Sequence, residues 1–455
     1  MRRGLLVALA AVAVVVVVAV VAAVWWVQRR EPEPPAPTPQ LIGFSLQKPP
    51  AQAWRLTPAD IGLPDEIPVG KPFGSAGDRG FFLADCDLSC GDGYRGWVYG
   101  IDLRTGTRLF DPILLEGLHV RFDGNCHLNG EQTAVCLTDA DTTHGQPRRV
   151  WVLDLAQGRI THSGETDLLI EGYGTEPVAE AIGNPLGQTR LVATVPGTGV
   201  YGIGATGERT WFVPGSGQLA VPTLTVADDA PLTLATQIPT PEDPTYRVFS
   251  VIDGTELTPT PPPGTTLRRA AVYPGGFAYQ YEARDVAGVL FYNASGELLA
   301  QQELTGYNLL DATTVPIVLD RSVVRVYSRD GRQVIEFPGA AVDYRRAKFR
   351  VVGSDLYVWQ GEDGPDKETW QQWSLDSGDP GTRCQVDFTH YVGSDGRIVL
   401  STAYYGSGDD IVATDLTTCQ HMWRMPVPGT RGVVEQVGTA LIARSSTELV
   451  GLRAK

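Results

Sequence analysis

Basic residues are scarce in this chain, and lysine is almost missing. Its 455 residues include 37 Lys and Arg against 52 Asp and Glu, a formal net charge of −15, and only five of the basic residues are lysines. Nucleic-acid-binding domains instead concentrate positive charge on one surface. The composition therefore argues against a nucleic-acid partner and against adhesion to anionic lipid headgroups through a broad positive field.

Closely spaced cysteines are also missing. Zinc sites usually need tight pairs such as C-x2-C with histidines nearby, but here the closest two cysteines are four positions apart and the six histidines are scattered. An even number of cysteines favours three disulfides in an oxidising compartment, with metal binding as the open alternative. The six are Cys86, Cys90, Cys126, Cys136, Cys384 and Cys419.

No local enzyme motif is present: there is no Ser nucleophile elbow, no phosphate-cradling loop and no zinc-protease helix. Two acidic stretches, 85–93 and 138–145, are weak candidates for a Ca²⁺ site, because that cation prefers several oxygen ligands at alternating positions. Neither completes an EF-type loop, so solvated loop carboxylates are the favoured interpretation. We predict no catalytic, cofactor-binding or metal residue. The weak metal candidates are Asp85, Asp87, Asp92, Asp139 and Asp141.

One long apolar run begins near the amino terminus. Residues 4–27 contain no charged side chain, and Trp25 and Trp26 stand at the end of the run. As a helix at about 1.5 Å per residue the run would span roughly 36 Å, enough to cross a hydrocarbon core of about 30 Å. Signal peptides have an apolar core of only about 7–15 residues. We therefore predict an uncleaved, single-pass membrane anchor, with a signal peptide as the alternative.

The orientation of this anchor depends on the cysteines, because arginine pairs flank both of its ends. Disulfides require an oxidising compartment, so the tail is expected in the cytoplasm and the body on the extracytoplasmic side of the cell membrane. A Pro-rich stalk, which stays extended, is predicted to follow. The predicted parts are residues 1–30 (tail and anchor), 31–52 (stalk) and 53–455 (body). All 52 acidic but only 33 of the 37 basic residues follow position 30, a formal charge of −19.

The body has no long helical pattern. Short runs of β-branched and aromatic residues alternate with polar ones and end at Asn, Asp, Ser or Gly turns, which is typical of hairpins. Variants of "WVYGIDLRTGTRLF" (97–110) recur about every 34–53 residues to the end of the chain. About four strands at this period predict an all-β protein that forms one β-propeller.

Closure of the propeller is predicted from the two ends of the body. The segment after residue 433 supplies two or three strands but no last one, and residues 42–56 resemble the end of a blade. Pairing between these ends would close the ring. Nine units can be counted, but such rings usually have about four to eight blades, so we predict about eight four-stranded blades, within a range of seven to nine.

The repeated turn resembles the quinoprotein-like (PQQ-like), tryptophan-docking repeat, in which a strand ends in Ala-x-Asp-x-x-Thr-Gly and an aromatic residue follows. The match is best at Asp102–Gly106, good at Asp154–Gly158, and continues at Asp415, where Cys419 replaces the glycine. This resemblance implies a propeller and raises the possibility of a dehydrogenase that uses pyrroloquinoline quinone (PQQ) with Ca²⁺. Those enzymes hold the quinone against a disulfide between adjacent cysteines, and this chain has none.

The hairpins also allow predictions of disulfide pairing. Cys126 and Cys136 flank the predicted hairpin "HLNGEQTAV" and are expected to bridge across it, which requires an odd-length loop centred on Glu131. Cys86–Cys90 would then be a local clasp, and Cys384–Cys419 would join equivalent hairpins of neighbouring blades. The alternative pairing 86–136 with 90–126 remains open.

Taken as a whole, the sequence predicts a non-catalytic, membrane-anchored propeller at the cell surface that binds or scaffolds an envelope protein partner and needs no cofactor. A divergent quinoprotein-like or other propeller enzyme is the alternative. Arginine outnumbers lysine and Ala, Val and Gly are abundant, which hints at an actinobacterial source.

Overall fold

The structure is a computed structural model, and its described part is almost entirely β. It describes residues 40–86, 94–118, 125–138, 147–170, 176–183, 189–220, 232–261, 263–304, 308–312, 314–320, 323–338, 348–362, 368–403, 410–428 and 432–455. The predicted anchor lies outside these residues. Among the residues described, no helix is long and apolar enough to span a membrane. One short helix, α1 (Pro58–Ile61), is present.

Antiparallel strands form eight four-stranded sheets and one two-stranded sheet. We number the sheets as blades along the chain. Blade 1 consists of β2 (Lys71–Ala76), β3 (Arg79–Cys86), β4 (Arg95–Asp102) and β5 (Ile113–Glu116); blade 2 of β6 (Cys126–Leu128), β7 (Thr133–Thr138), β8 (Arg149–Asp154) and β9 (Arg159–Glu165); blade 3 of β10 (Val178–Gly183), β11 (Thr189–Val195), β12 (Gly199–Ile203) and β13 (Arg209–Pro214); blade 4 of β14 (Leu234–Gln237) and β15 (Arg247–Ser250); and blade 5 of β16 (Thr266–Tyr273), β17 (Gly276–Glu282), β18 (Ala287–Asn293) and β19 (Leu298–Leu304). Blade 6 consists of β20 (Asn308–Ala312), β21 (Pro316–Asp320), β22 (Val323–Tyr327) and β23 (Gln333–Pro338); blade 7 of β24 (Phe349–Val352), β25 (Asp355–Glu362), β26 (Glu368–Ser374) and β27 (Pro380–Gln385); blade 8 of β28 (Tyr391–Ser394), β29 (Ile398–Ala403), β30 (Asp410–Asp415) and β31 (Gln420–Pro426); and blade 9 of β32 (Val433–Val437), β33 (Ala440–Arg444), β34 (Leu449–Arg453) and β1 (Ala51–Leu56).

The eight predicted four-stranded blades are therefore present, and blade 4 is an additional, incomplete blade. Its two strands are flanked by segments that each make a single bridge, Leu219 to Gln237 on one side and Glu256 to Phe249 on the other. Proline follows the last of these segments in "TPTPPPG" (258–264). Because proline has no backbone N–H to donate to a neighbouring strand, this sequence prevents the segment from extending into a regular fourth strand.

Nine apolar clusters hold the blades together, and each cluster lies between two successive blades. Between blades 1 and 2, for example, Phe81 and Leu83 of β3 share a cluster with Leu128 of β6 and Trp151 of β8. A single twisted sheet cannot cover both of its faces, whereas a closed series of sheets buries them all. The last cluster joins blade 9 to blade 1, so the series closes.

Strand pairing between the two ends of the body closes the ring, as predicted. Strand β1 is antiparallel to β34, with Ala51 opposite Arg453 and Leu56 opposite Leu449. Residues 40–46 run across blades 8 and 9: Ile42 N donates to Ser394 O at 2.7 Å and Gly43 N to Thr439 O at 2.8 Å. From residue 40 onward, the segment predicted as a stalk is thus in contact with the propeller.

The repeated Asp–Gly turn has a structural role, and Asp102–Gly106 shows it best. Asp102 Oδ1 accepts hydrogen bonds from the backbone N of Arg104 and Thr105 at 3.0 and 2.8 Å. Gly106 has a φ of +75°, and a Cβ there would lie 2.6 Å from the ring of Trp54. The Trp54 indole N–H donates to Leu103 O at 2.9 Å. The turn therefore docks a tryptophan from the preceding blade.

Two further turns repeat this arrangement with changes. At Asp154–Gly158 the docked ring belongs to Phe110, which a Cβ on Gly158 would overlap. In blade 8 Cys419 occupies the glycine position with a φ of +58°, and the disulfide to Cys384 of blade 7 replaces the docked ring. The sequence pattern thus marks contacts between neighbouring blades.

Asp415 anchors the third of these turns as a buried carboxylate, 2% exposed. Burial acts to raise the pKa of Asp415, but hydrogen bonds from Arg397, Thr417 N and Thr418 N outweigh it and hold the pKa below its ordinary value of 3.8. Its Oδ2 lies 2.7 Å from Arg397 Nη2. The ionised side chain therefore stabilises the fold at neutral pH.

We expect Asp415→Asn to lower the free energy of unfolding by about 1–3 kcal/mol at pH 7, the range for lost hydrogen bonds to a charged group. A lowered folded-state pKa gives stability that is present above 3.8 and lost as the pH falls through the folded value. Urea unfolding at pH 7, 4 and 3 should show that the difference in unfolding free energy between the wild type and Asp415→Asn becomes smaller as the pH falls. Asp154→Asn, in the equivalent turn of blade 2 and without an ion pair to a described residue, should cost less. If Asp415→Asn lowered the unfolding free energy equally at pH 7 and pH 3, the ionised Asp415 carboxylate would not be what stabilises the fold.

Two of the three predicted disulfides are present among the described residues. Cys126 and Cys136 lie directly opposite each other on β6 and β7, and the loop is centred on residue 131, as predicted. Cys384 and Cys419 join the last hairpins of blades 7 and 8, also as predicted. Cys86 is disulfide-bonded, whereas Cys90 lies outside the described residues.

The antiparallel order gives the propeller two different faces. One face, here called the turn face, carries the turns that join the first strand of a blade to the second and the third strand to the fourth. Gln40 lies at this face, since its carbonyl accepts a hydrogen bond from the Gln436 side chain beside the β32–β33 turn. The other, here called the connector face, carries the connections between blades and the loops between second and third strands. Residues 57–70, with α1, are one such connection.

Candidate binding cavity between blades 3 and 4

A cavity of about 300 Å³ opens on the connector face where blade 3 meets the incomplete blade 4. Three loops form its walls: 196–198 between β11 and β12, 215–216 after β13, and 238–246 between β14 and β15. This volume is at the lower end of the range for small-molecule pockets, about 300–1,000 Å³. The cavity can therefore hold one side chain or a small ligand.

Two similar glycine loops form one side of the cavity, "PGTG" (196–199) and "PGSG" (214–217). They are joined by hydrogen bonds from Gly197 N to Ser216 O at 2.7 Å and from Gly215 N to Thr198 O at 3.1 Å. A Cβ on Gly217, whose φ is +66°, would overlap the carbonyl oxygen of Val195. Close approach of the two backbones requires glycine there, and the loops present Thr198 and Ser216 to the cavity.

A fully buried amide, Gln237 at the end of β14, fixes the second glycine loop. Its Oε1 accepts from Gly217 N at 2.9 Å, and its Nε2 donates to Val213 O at 3.2 Å. Ser216 Oγ donates to Ile238 O at 2.8 Å. No base contacts this hydroxyl among the described residues, so the geometry does not make Ser216 a nucleophile.

A proline-rich acidic loop, "IPTPEDPT" (238–245), forms the opposite side. Asp243 N donates to Thr240 Oγ1 at 3.0 Å, Thr245 N donates to Asp243 Oδ1 at 3.1 Å, and Arg247 Nη2 lies 2.8 Å from Asp243 Oδ2. The hydrogen bond from Arg247, followed by that from Thr245 N, holds the pKa of Asp243 below its ordinary range. Asp243 is therefore ionised at neutral pH.

The charges around the cavity do not balance. Arg247 also contacts the Glu256 carboxylate, with Nη1 to Oε2 at 3.4 Å, so two carboxylates share its single charge. Glu242 also lines the cavity, is exposed, and forms no ion pair within the part of the chain that the structure describes. The cavity thus has an excess of negative charge and several hydroxyl groups.

The weak metal candidates are not brought together in the described structure. Asp85 lies on β3, whereas Asp87, Asp92, Asp139 and Asp141 fall outside the described residues. Among the residues that are described, no group of three or more His, Cys, Asp or Glu side chains could hold a metal ion. The metal candidates therefore stay untested predictions.

Sequence reasoning missed the cavity, although two signals for it are present. The motif P-G-[TS]-G occurs twice, at 196–199 and 214–217, and an acidic proline-rich segment follows at 238–245. Each part taken alone indicates only a loop. Their proximity depends on the packing of blade 3 against blade 4, which the repeat pattern does not specify.

Comparison with known proteins identifies relatives along nearly the whole chain. Residues 27–455 match the family described as conjugation-associated 9-bladed beta-propeller domain. An uncharacterized protein of Mycolicibacterium smegmatis (strain MKD8) is 30% identical over 416 residues, which cover 86% of this chain and 82% of that protein.

Similarity to solved structures is weak. A europium-containing methanol dehydrogenase is 10% identical with a TM-score of 0.35, covering 89% of this chain and 93% of that one. The WD40 domain of Toxoplasma gondii coronin is 11% identical with a TM-score of 0.27, covering 71% and 79%. Similarity at this level carries no argument about activity.

Proposed function

The chain belongs to the family of conjugation-associated 9-bladed beta-propeller domains, and on this basis we propose that it is a non-catalytic binding or scaffolding module of a conjugation-associated assembly in the cell envelope. The observation that carries the proposal is the cavity on the connector face, where polar side chains of blades 3 and 4, among them the exposed Thr198 and Glu242, surround a space without a nucleophile–base pair among the described residues. A propeller fold itself is compatible with either binding or catalysis.

Residues 4–27 anchor this module in the cell membrane, with the propeller on the extracytoplasmic side. The uncharged apolar run supports the anchor, and the disulfides Cys126–Cys136 and Cys384–Cys419 support an oxidising compartment. The negative charge of the body supports a protein partner with basic surface groups rather than a nucleic acid. An actinobacterial source is part of the same proposal, supported by the excess of Arg over Lys.

The non-catalytic part of the proposal extends to cofactors. The repeat resembles that of quinoproteins, but no two cysteines are adjacent in the sequence, and the matching turns at Asp102 and Asp154 are used for contacts between blades. We therefore expect no bound PQQ. The enzyme alternative requires a site assembled from distant blades, which leaves no local motif.

Reconstitution of the full chain in nanodiscs with PQQ and Ca²⁺ tests this proposal. We expect no stoichiometric quinone uptake and no dye-linked oxidation of alcohols or sugars, while crosslinking in native membranes of conjugating cells recovers an envelope protein. Stoichiometric uptake together with oxidation would overturn the non-catalytic function. An unrelated PQQ-dependent dehydrogenase, treated in parallel, serves as the positive control.

A further inference from the structure

We propose that the cavity between blades 3 and 4 binds the side chain of an arginine on the surface of the protein partner. This inference rests on the proposed function, because it names the chemistry by which a binding module would recognise its partner. It is argued from the charges, the hydrogen-bonding groups and the position of the cavity.

The charges around the cavity favour a cationic ligand. Arg247 is the one basic side chain among the residues that line the cavity, and it is already paired with Asp243 and Glu256 at 2.8 and 3.4 Å. Glu242 adds a further carboxylate that no described cation balances. A ligand that enters with one positive charge can pair with Glu242, whereas an anion would be repelled by the excess of carboxylates.

The hydrogen-bonding groups of the cavity favour a guanidinium group. Thr198, Thr240 and Thr245 line the cavity together with Glu242. Hydroxyl and carboxylate oxygens accept hydrogen bonds, and Thr240 Oγ1 already accepts one from Asp243 N. The donors of Arg247 are directed to its two carboxylates. A site rich in acceptors suits a guanidinium group, which has five N–H donors in a rigid plane and can bond a carboxylate and neighbouring hydroxyls together.

The position and size of the cavity favour a single side chain from the surface of a protein partner. The walls are loops of the connector face, and Thr240 and Glu242 are accessible there. A volume of about 300 Å³ admits one long side chain but no folded segment. The formal charge of −15 draws basic surfaces toward the protein, while the cavity supplies the contact that selects one arginine among them.

Fluorescence polarisation tests this directly, with the full chain in nanodiscs and a fluorescent pentapeptide carrying one central arginine. The control peptide has citrulline, which keeps the shape and removes the charge. We expect the arginine peptide to bind at least tenfold more tightly than the citrulline peptide, and Glu242→Gln to weaken it about tenfold, as for a lost charge-assisted hydrogen bond. Glu66→Gln makes the same change at an exposed position of the same face in another loop and should leave binding unchanged.

Several outcomes would overturn the inference. Equal affinity for both peptides, no measurable binding, or equal losses in Glu242→Gln and Glu66→Gln would each show that the cavity does not recognise arginine. Tighter binding of spermidine or Mg²⁺ than of the arginine peptide would identify a charge-only site instead. If the envelope partner is still recovered by crosslinking to Glu242→Gln, the cavity inference fails while the proposed binding function stands.

Discussion

Trp54→Ala is expected to lower the free energy of unfolding by about 3–5 kcal/mol, the usual cost of removing a large aromatic side chain from a core. Trp54 lies on β1, the strand that closes the ring, and is only 9% exposed. It contacts Gly106 and Gly451, and its indole N–H donates to Leu103 O. Urea unfolding followed by circular dichroism measures the loss, and amide hydrogen exchange should show faster opening of β34.

A glycine pair provides the matched control for this prediction. Gly106 and Gly77 both have positive φ, +75° and +59°, but a Cβ on Gly106 would collide with Trp54, whereas one on Gly77 meets nothing within 4 Å. Gly77→Ala should therefore cost only the left-handed backbone penalty, about 1–2 kcal/mol, and Gly106→Ala clearly more. Equal costs for the two alanines, or a loss below about 1 kcal/mol for Trp54→Ala, would show that the docked indole does not support closure.

Deletion of residues 4–27 is expected to move the protein almost completely from the membrane fraction to the soluble fraction. The run would provide roughly 36 Å of apolar helix, and the described residues of the nine apolar clusters lie between Ile42 and Leu452. Fractionation followed by immunoblotting measures the change. A matched deletion of residues 31–39 should leave the protein in the membrane.

Protease treatment of intact cells or spheroplasts checks the orientation in the same strains. The propeller should be removed from outside in the wild type and in the 31–39 deletion. A propeller that survives outside but is cut after lysis would reverse the orientation, and a 4–27 deletion that stays in the membrane fraction would refute the anchor.

The sequence was sufficient to predict those parts of the fold that repeat. Hairpin signals at regular spacing identify four-stranded blades, and Cys126 opposite Cys136 follows from the length of one loop. Closure was also predictable, because residues 42–56 and the end of the chain are complementary fragments of one blade. These features depend on local pattern, which one sequence contains.

Blade 4 shows what the sequence could not specify. Its outer segments make only single bridges, and a proline-rich stretch follows the second of them, so they do not give the alternating pattern of a strand. The count of nine units was reduced to eight because such rings usually have about four to eight blades, whereas the described residues form eight complete blades and this incomplete one. The cavity depends on the same irregular blade. Its acidic loop begins at residue 238, after glycine loops that end at residues 199 and 217, and packing of blade 3 on blade 4 places it beside them.

Photo-crosslinking in conjugating cells tests whether the propeller binds a protein partner through its connector face. A photoreactive amino acid is introduced at Thr245 beside the cavity, at Glu66 on the same face, and at Asp376 on the turn face. We expect a discrete adduct with one envelope protein from position 245, identified by mass spectrometry, and none from position 376. Adducts of equal yield from both faces, or none from either position on the connector face, would contradict it.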